Sequence, residues 1–134
     1  MPLIDITTEF GQRVEHRLAG EQVIWLTTVR PDGTPQPSPV WFLRGGDTLL
    51  IYSQPDKPKL RNIEANPKVA LSFNATPSGG DVVVFSGESP PAREHAAYIE
   101  KYQDDIQRLN STPERFSDEY SVPIRVALTG LRGF

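Results

Sequence analysis

Proline and glycine interrupt this chain so often that short elements and tight turns must dominate its structure. The 13 prolines and 10 glycines fall between short runs rich in valine, isoleucine, threonine and aromatic residues. Proline lacks a backbone N–H, and glycine adopts the positive φ angles that many turns need. This spacing is typical of antiparallel strands joined by turns, and it predicts a mainly β fold.

Composition narrows the possible functions. The 134 residues, 37% of them apolar and 23% charged, suit one globular domain spanning 1–134. With no cysteine, disulfides and thiolate sites are excluded. A net charge of -3 argues against general binding of nucleic acid or of an anionic membrane surface. No apolar run approaches the roughly 20 residues of a membrane span, so the cytoplasm is the expected location.

Helical spacing is clearest near the N-terminus. Thr8 is expected to cap a first helix that ends at Gly20, with Glu9 and Arg13 forming a supporting ion pair. Its inward face repeats every four residues, at Phe10, Val14 and Leu18. A short helix is expected over 57–66, with Leu60 and Ile63 inward, and another over 91–109, followed by a helical turn after Pro113.

The expected strands cover residues 23–29, 34–44, 48–53, 69–75 and 81–88, followed by a last strand in which Ile124, Val126 and Leu128 alternate with other residues. The first three should form a meander, whose first turn is Pro31-Asp32-Gly33 with Gly33 at positive φ. The run VVVF at 82–85 is apolar on both faces, which predicts burial of both. Together these elements predict a six-stranded antiparallel barrel with peripheral helices.

Common enzyme motifs are absent from the sequence, including the glycine-rich nucleotide loops and the zinc motif HExxH, and no metal site is expected. The two histidines, His16 and His95, fall on separate predicted helices. Each is expected to face solvent and receives no functional role.

An unusual strand segment alternates proline with other residues from Pro35 to Pro39. Backbone donors alternate sides along a strand, so these prolines remove the N–H groups from one side only. One interpretation is an edge strand protected against aggregation. The other is a backbone surface that faces a flat ligand or a subunit boundary.

A basic segment, SQPDKPKLRN at 53–62, leads from a strand end into a helix. The free N–H groups and positive dipole at a helix N-terminus favour an anion. Ser53, Lys57 and Lys59 add a hydroxyl donor and two positive charges. The alternative is a solvated basic helix start partly neutralised by Asp56.

With these residues in view, the chain resembles the split β-barrel flavin and deazaflavin oxidoreductases, which are related to pyridoxamine 5'-phosphate oxidases. It is most similar to the branch that uses coenzyme F-420. The resemblance extends through TTVRPDGTPQPSPVWFL, IYSQPDKPKLRNIEANPKVALSF and IRVALTGLRGF. It implies a split β-barrel, a homodimer with cofactors in grooves between the subunits, and no membrane span.

The resemblance also implies which residues bind the cofactor. Ser53, Lys57 and Lys59 would hold its phosphate, with Gln54 and Asn62 adjoining. The proline segment would lie along the tricyclic ring together with Thr28 of the neighbouring strand; its matching residues are Pro37, Ser38, Pro39, Val40 and Trp41.

The implied activity is hydride transfer between F-420 and a small unsaturated or electron-poor organic substrate. Two alternatives remain open: an FMN-dependent oxidoreductase on the same fold, and a non-catalytic carrier of a cofactor or haem-like ligand. Pyridoxamine 5'-phosphate oxidases share an Arg-Leu-x-Pro ending, whereas this chain ends Leu131-Arg132-Gly133-Phe134. This difference argues against oxidation of a vitamin B6 phosphate.

Overall fold

A computed structural model describes residues 3–54, 56–89 and 122–134. In these residues the chain forms two helices and seven strands, in the order α1 (Glu9–Gly20), β1 (Val23–Val29), β2 (Pro35–Trp41), β3 (Leu43–Gly45), β4 (Thr48–Ser53), α2 (Pro58–Ala65), β5 (Lys68–Ser72), β6 (Val83–Glu88) and β7 (Val122–Gly133). The expected helix over 91–109, the turn after Pro113 and His95 lie outside the described residues.

The strands form one antiparallel sheet in the order β2-β1-β5-β6-β7-β4-β3. Its two edge strands are consecutive in the chain, since only Phe42 separates β2 from β3. The sheet must therefore curl until its edges meet, and β2 and β4 do contact each other. Counted as one interrupted strand, β2 and β3 give the predicted six-stranded split β-barrel, which confirms the fold class.

The interruption at Phe42 corrects one expectation about the meander. Residues 34–44 were expected to form a single strand, but the part before Phe42 pairs with β1 and the part after it pairs with β4. Phe42 itself is buried in the core, and its backbone N–H donates to the carbonyl of Gln22 at 3.3 Å. The kink passes the chain from one edge of the sheet to the other.

Helix α1 begins as predicted, because the Thr8 hydroxyl accepts a hydrogen bond from the Gly11 N–H at 2.9 Å. Val14 and Leu18 are buried, and Phe10 packs beside them. The expected ion pair between Glu9 and Arg13 is not among the ion pairs of the described residues, so this prediction is wrong. Arg13 instead places its Nε 3.5 Å from Asp81 Oδ1, and so connects α1 to the start of the β6 segment.

The core lies between the inner face of the sheet and α1. The turn at Gly33 has φ of 90°, as expected, and β7 buries Ile124, Val126 and Leu128. Within the described residues, no helix is long and apolar enough to cross a bilayer.

Burial of both strand faces was predicted for the wrong strand. Val83 and Phe85 are buried, whereas Val82 and Val84 are only half-buried. Both faces are buried in β4 instead, where Leu50 and Tyr52 are 1% and 8% exposed although they lie outside the main core cluster. Hydrophobic character alone did not show which of the two apolar strands is covered on both sides.

Candidate functional site

Among the described strands, the proline strand β2 lies at an edge of the sheet and pairs only with β1. The Phe42 N–H points toward the β1 side, so the N–H groups of Gln36, Ser38 and Val40, which share its parity, point the same way. The carbonyl groups of Pro35, Pro37 and Pro39 therefore face the opposite, free edge, where these residues offer no N–H. Both the edge position and the one-sided loss of donors match the sequence interpretation.

A first cavity of about 230 Å³ opens where β2 approaches the end of β4 and the start of α2. Its lining combines an apolar wall with polar groups and two ammonium groups; the residues are Pro39, Val40, Trp41, Tyr52, Ser53, Gln54, Lys57 and Lys59. Trp41 keeps 54% of its surface exposed there. A planar aromatic ligand and an anion both find suitable partners in such a lining.

A second cavity, also of about 230 Å³, borders the same two lysines. It is lined by Thr28, Gln36, Pro37, Ser38, Lys57, Pro58 and Lys59. The two cavities share Lys57 and Lys59, so these side chains form a cationic wall between them.

The lysine wall has no carboxylate partner in the described part of the chain, since no acidic oxygen there lies within 4.0 Å of either ammonium nitrogen. Asp56 has a φ of 63° and forms no ion pair with Lys57. Burial, and then the positive charge of Lys57, lower the pKa of Lys59. An anion bound here would relieve an electrostatic cost that the neighbouring acidic residue leaves in place.

The N-terminus of α2 adds the positive end of a helix dipole to this wall. Lys57 occupies the N-cap position without a side-chain capping bond, and Pro58 at the first helical position has no N–H. The Leu60 N–H donates to the Lys57 carbonyl at 3.0 Å. Positive charge from the helix end and from both lysines therefore acts in the same region.

Asn62 lies behind the cavities rather than in their lining. Its side chain is 3% exposed, and its Nδ2 donates to Thr28 Oγ1 at 3.0 Å and to Gln36 Oε1 at 2.8 Å. These two bonds connect α2 to β1 and β2. Asn62 thus fixes the position of the lysine-bearing helix start relative to the proline strand.

Ser53 and Tyr52 are buried residues in the lining of the first cavity. Ser53 is 1% exposed, and its hydroxyl donates to the Gln54 carbonyl at 2.8 Å. Burial raises the pKa of Tyr52 to about 12, so its phenol keeps its proton at neutral pH.

The structure gathers the predicted binding residues around this pair of cavities. Five of them line the first cavity alone: Pro39, Val40, Trp41, Ser53 and Gln54. Thr28, Pro37 and Ser38 line the second cavity alone. Lys57 and Lys59 line both cavities, and Asn62 lies behind them. Three further lining residues were not among the predicted ones: Gln36, Tyr52 and Pro58. Strand parity was a usable signal for Gln36, since its side chain shares a face with Ser38 and Val40.

Among the histidines and acidic residues that the structure describes, none lines either cavity. His16 is exposed on α1, as expected. Across the described segments, no three metal-binding side chains come together.

Comparison with known proteins places the chain in a family. Residues 10–126 match the family model of pyridoxamine 5'-phosphate oxidase. A search of curated proteins found no match.

Solved structures of similar shape cover most of the chain. One, described as an F-420 reductase, is 30% identical, with a TM-score of 0.64, and the alignment covers 88% of this chain and 94% of that one. A pyridoxamine 5'-phosphate oxidase-like protein from Listeria innocua is 24% identical over 90% of this chain and 94% of that one, with a TM-score of 0.72.

HutZ, a heme storage protein from Vibrio cholerae, shares the fold at 16% identity and a TM-score of 0.72, covering 99% of this chain and 95% of that one. The family match spans nearly the whole chain, and the curled antiparallel sheet agrees with it. The chain therefore belongs to the pyridoxamine 5'-phosphate oxidase family.

Proposed function

We propose that this protein is an F-420-dependent oxidoreductase that transfers a hydride between the deazaflavin coenzyme and a small unsaturated or electron-poor organic substrate. The main support is the Lys57–Lys59 wall, which has no carboxylate partner among the described residues and lies beside a strand edge without N–H donors. The 30% identity to a structure described as an F-420 reductase also supports it.

In this proposal each group of residues has a binding task. Lys57 and Lys59 hold the cofactor phosphate, with Ser53 and Gln54 next to it. The ring lies along β2, against the residues from Pro37 to Trp41. The hydrogen bond between Asn62 and Thr28 holds α2 at a fixed distance from β1.

The bound deazaflavin would supply the hydride chemistry, and the protein would supply orientation and exclusion of water. No acid or nucleophile of the chain is assigned a part in the hydride step. FMN is the second candidate, because it also offers a tricyclic ring and a phosphate to the same donors. A third hypothesis is that the protein carries a cofactor or haem-like ligand in the same cavity without catalysis.

We also propose that the protein is a homodimer with the outer face of β1 and β2 at its interface. Val23, Trp25 and Trp41 are 40%, 36% and 54% exposed on that face, and the strand register places Trp41 opposite Val23 and Pro39 opposite Trp25. Such an apolar surface suits a second copy of the chain. Analytical ultracentrifugation should give twice the 15.0 kDa mass, and Trp25→Glu should give the monomer. A wild-type mass of 15.0 kDa would contradict the dimer.

Fluorescence titration tests the cofactor assignment. Trp41 lines the first cavity, so F-420 should quench its emission, and Trp41→Phe should remove most of that quenching. F-420 should bind more tightly than FMN, and the opposite order would favour the FMN-dependent alternative.

Lys59→Ala should weaken F-420 binding by about 1 to 3 kcal/mol, the usual range for losing a hydrogen bond to a charged group. Lys68→Ala is the matched control, because Lys68 is exposed on β5 and lines neither cavity. If the two variants bind F-420 with equal affinity, the cofactor phosphate does not bind at the lysine wall.

Turnover with reduced F-420 separates an enzyme from a carrier. Quinones, enones and tetrapyrroles form a suitable panel of hydride acceptors. Oxidation of the coenzyme with at least one of them is expected. Tight binding without turnover of any of them would contradict the oxidoreductase and support the carrier.

A further inference from the structure

The described lining of the first cavity contains one ionisable group that the proposed function leaves unused, the phenol of Tyr52. Tyr52 is 8% exposed, yet it does not belong to the main hydrophobic core. It lines the cavity from β4, and Trp41 lines the same cavity from β2, the strand that contacts β4 there. In the proposed complex the cofactor ring lies along β2, so Tyr52 lies beside the reacting groups. The inference drawn from this position rests on the proposed function and names its substrate class.

Reduction of a carbonyl-conjugated alkene requires a proton as well as a hydride. The hydride forms a C–H bond at the β-carbon, the electrons of the C=C bond move toward the carbonyl oxygen, and the substrate becomes an enolate. The enolate must then take a proton at its α-carbon before the saturated product forms. An acid held in a cavity that excludes water can supply that proton in a fixed direction.

Few groups in the described lining of the first cavity could donate this proton. No histidine or carboxyl group lines it, and the Ser53 hydroxyl already donates to the Gln54 carbonyl at 2.8 Å. Lys57 and Lys59 hold the phosphate in the proposed complex, and the negative charge of the phosphate keeps them protonated. The phenol of Tyr52 remains.

The chemistry of a buried phenol suits this step. Burial raises the pKa of Tyr52 to about 12, so the phenol does not lose its proton to water near neutral pH. An enolate is a much stronger base than water and accepts a proton from a phenol. Tyr52 therefore keeps its proton until hydride transfer has created the base that takes it.

We propose that Tyr52 is a catalytic residue that donates a proton to the α-carbon of an enone or a similarly conjugated carbonyl compound after hydride transfer. The O–H bond of Tyr52 breaks, a C–H bond forms at the α-carbon, and water returns a proton to the phenolate. The substrate gains one hydride and one proton, the coenzyme is oxidised by two electrons, and the C=C bond becomes a single bond.

Tyr52→Phe removes the hydroxyl and keeps the ring, and two acceptors show which step it affects. A cyclic enone with methyl groups at both alkene carbons needs a hydride and a proton. A triarylmethyl cation dye needs only a hydride, because the hydride converts the cation into a neutral product. Enone turnover with reduced F-420 should fall about 100-fold, a usual contribution of general acid catalysis. Dye turnover and F-420 affinity should stay within about twofold of the wild type.

Thr129→Val is the matched control for loss of a hydroxyl group. Thr129 is exposed on β7 and lines neither cavity. This variant should reduce the enone and the dye at wild-type rates.

The configuration of the enone product gives a readout that a structural role would not move. A phenol held in one place protonates one face of the α-carbon, so the wild type should form one configuration there. Solvent reaches either face, so Tyr52→Phe should give a mixture at the α-carbon and an unchanged configuration at the β-carbon. One configuration at both carbons in the variant would overturn the role of Tyr52.

A measurement without cofactor tests the phenol itself. The anion p-nitrophenolate is a stable analogue of an enolate. In ¹³C NMR spectra of the full chain labelled at tyrosine Cζ, it should shift the Tyr52 signal along a saturable curve. Tyr52→Phe should weaken p-nitrophenolate binding about tenfold, the scale of a hydrogen bond to a charged group, and leave nitrobenzene binding unchanged. An unshifted Tyr52 signal would overturn the proposal.

The remaining outcomes separate this proposal from the proposed function. Equal enone turnover by Tyr52→Phe and the wild type would overturn the acid role and leave the F-420-dependent oxidoreductase standing. A parallel fall in enone turnover, dye turnover and F-420 affinity would show that Tyr52 supports binding alone, and would also overturn the acid role. If the wild type binds reduced F-420 but oxidises it with neither acceptor, the proposed function is contradicted, and the role of Tyr52 is overturned with it.

Discussion

Positive charge is used differently at the two helices that the structure describes. Around α1, arginines meet carboxylates: Arg17 pairs with Glu21 and Asp81, and Arg44 pairs with Glu15. At the start of α2, Lys57 and Lys59 meet none in the described residues. Lys57 is exposed and Lys59 is half-buried, so water solvates both ammonium groups and an anionic ligand would find them unpaired.

The residue types match this division. Arg17 donates to the carbonyl groups of Asn74 at 2.7 Å and of Asp81 at 2.9 Å, and its guanidinium lies 4.7 Å from the centre of the Phe73 ring. A planar guanidinium serves several fixed partners at once, whereas a lysine ammonium is a flexible point charge. The arginines therefore stabilise the fold, and the lysines are available to bind.

The strongest test of this contrast is Arg17→Met. The side chain of Arg17 is 11% exposed, so its loss would leave the carbonyl groups of Asn74 and Asp81 without a donor. The free energy of unfolding should fall by about 2 to 4 kcal/mol in urea titrations. Arg30→Met is the control, because Arg30 is half-exposed, and should change stability by less than about 0.5 kcal/mol.

F-420 affinity should be the same in Arg17→Met as in the wild type below the unfolding transition. A selective loss of affinity with little loss of stability would reverse the division between structural arginines and binding lysines.

A smaller loss of stability is expected for Glu15→Gln. The hydrogen bond from Arg44 lowers the pKa of Glu15 below its ordinary value of 4.5, so the pair stabilises the fold only while Glu15 is ionised. At pH 7 the variant should lose about 0.5 to 1 kcal/mol. The difference should disappear as pH falls below 4.5 through the lowered pKa. A difference independent of pH would point to packing rather than charge.

Lys59→Met should change stability by less than Glu15→Gln and in the opposite direction. Because burial lowers the pKa of Lys59, the folded protein disfavours its charged form, and removing the charge should raise the unfolding midpoint slightly at pH 7. The gain should vanish as pH rises past 10.5, where the lysine is neutral in both states. A clear loss of stability at pH 7 would mean that Lys59 has a structural partner, as the arginines do.

His16→Ala should have no measurable effect on stability, F-420 binding or turnover. His16 is exposed on α1 and makes no contact with either cavity. A large loss of activity would show that the site extends beyond the two cavities.

Local chemistry explains why much of the fold could be predicted. Thr8 as a cap, Gly33 in a turn and Pro58 in a first helical turn each act through neighbours within a few residues. The parity of the proline strand is also local, and the hydrogen bond of Phe42 confirms it.

Long-range packing explains the errors. Arg13 forms an ion pair with Asp81 rather than with Glu9 because the β6 segment brings a carboxylate to α1 from 68 positions away. β4 rather than the VVVF run is buried on both faces, and the pattern of apolar residues does not show which strand is covered.

The site shows the same division. Its lysines, serines and prolines were selected because they match a family motif and because a basic helix start attracts anions. That Lys57 and Lys59 separate two cavities was not visible, because the cavities exist only where β2, β4 and α2 converge. Whether these residues bind the predicted cofactor stays a prediction.

The sequence alone determined the alternation of strands and turns, the one-sided edge of β2 and the presence of an anion-attracting helix start. Each depends on steric and hydrogen-bonding rules within a short stretch of backbone. Only the tertiary structure decided which cations are neutralised and how α2 is held against β1 and β2, as the bonds of Asn62 to Thr28 and Gln36 show. Those outcomes depend on groups far apart in the chain, and folding alone brings them within hydrogen-bond distance.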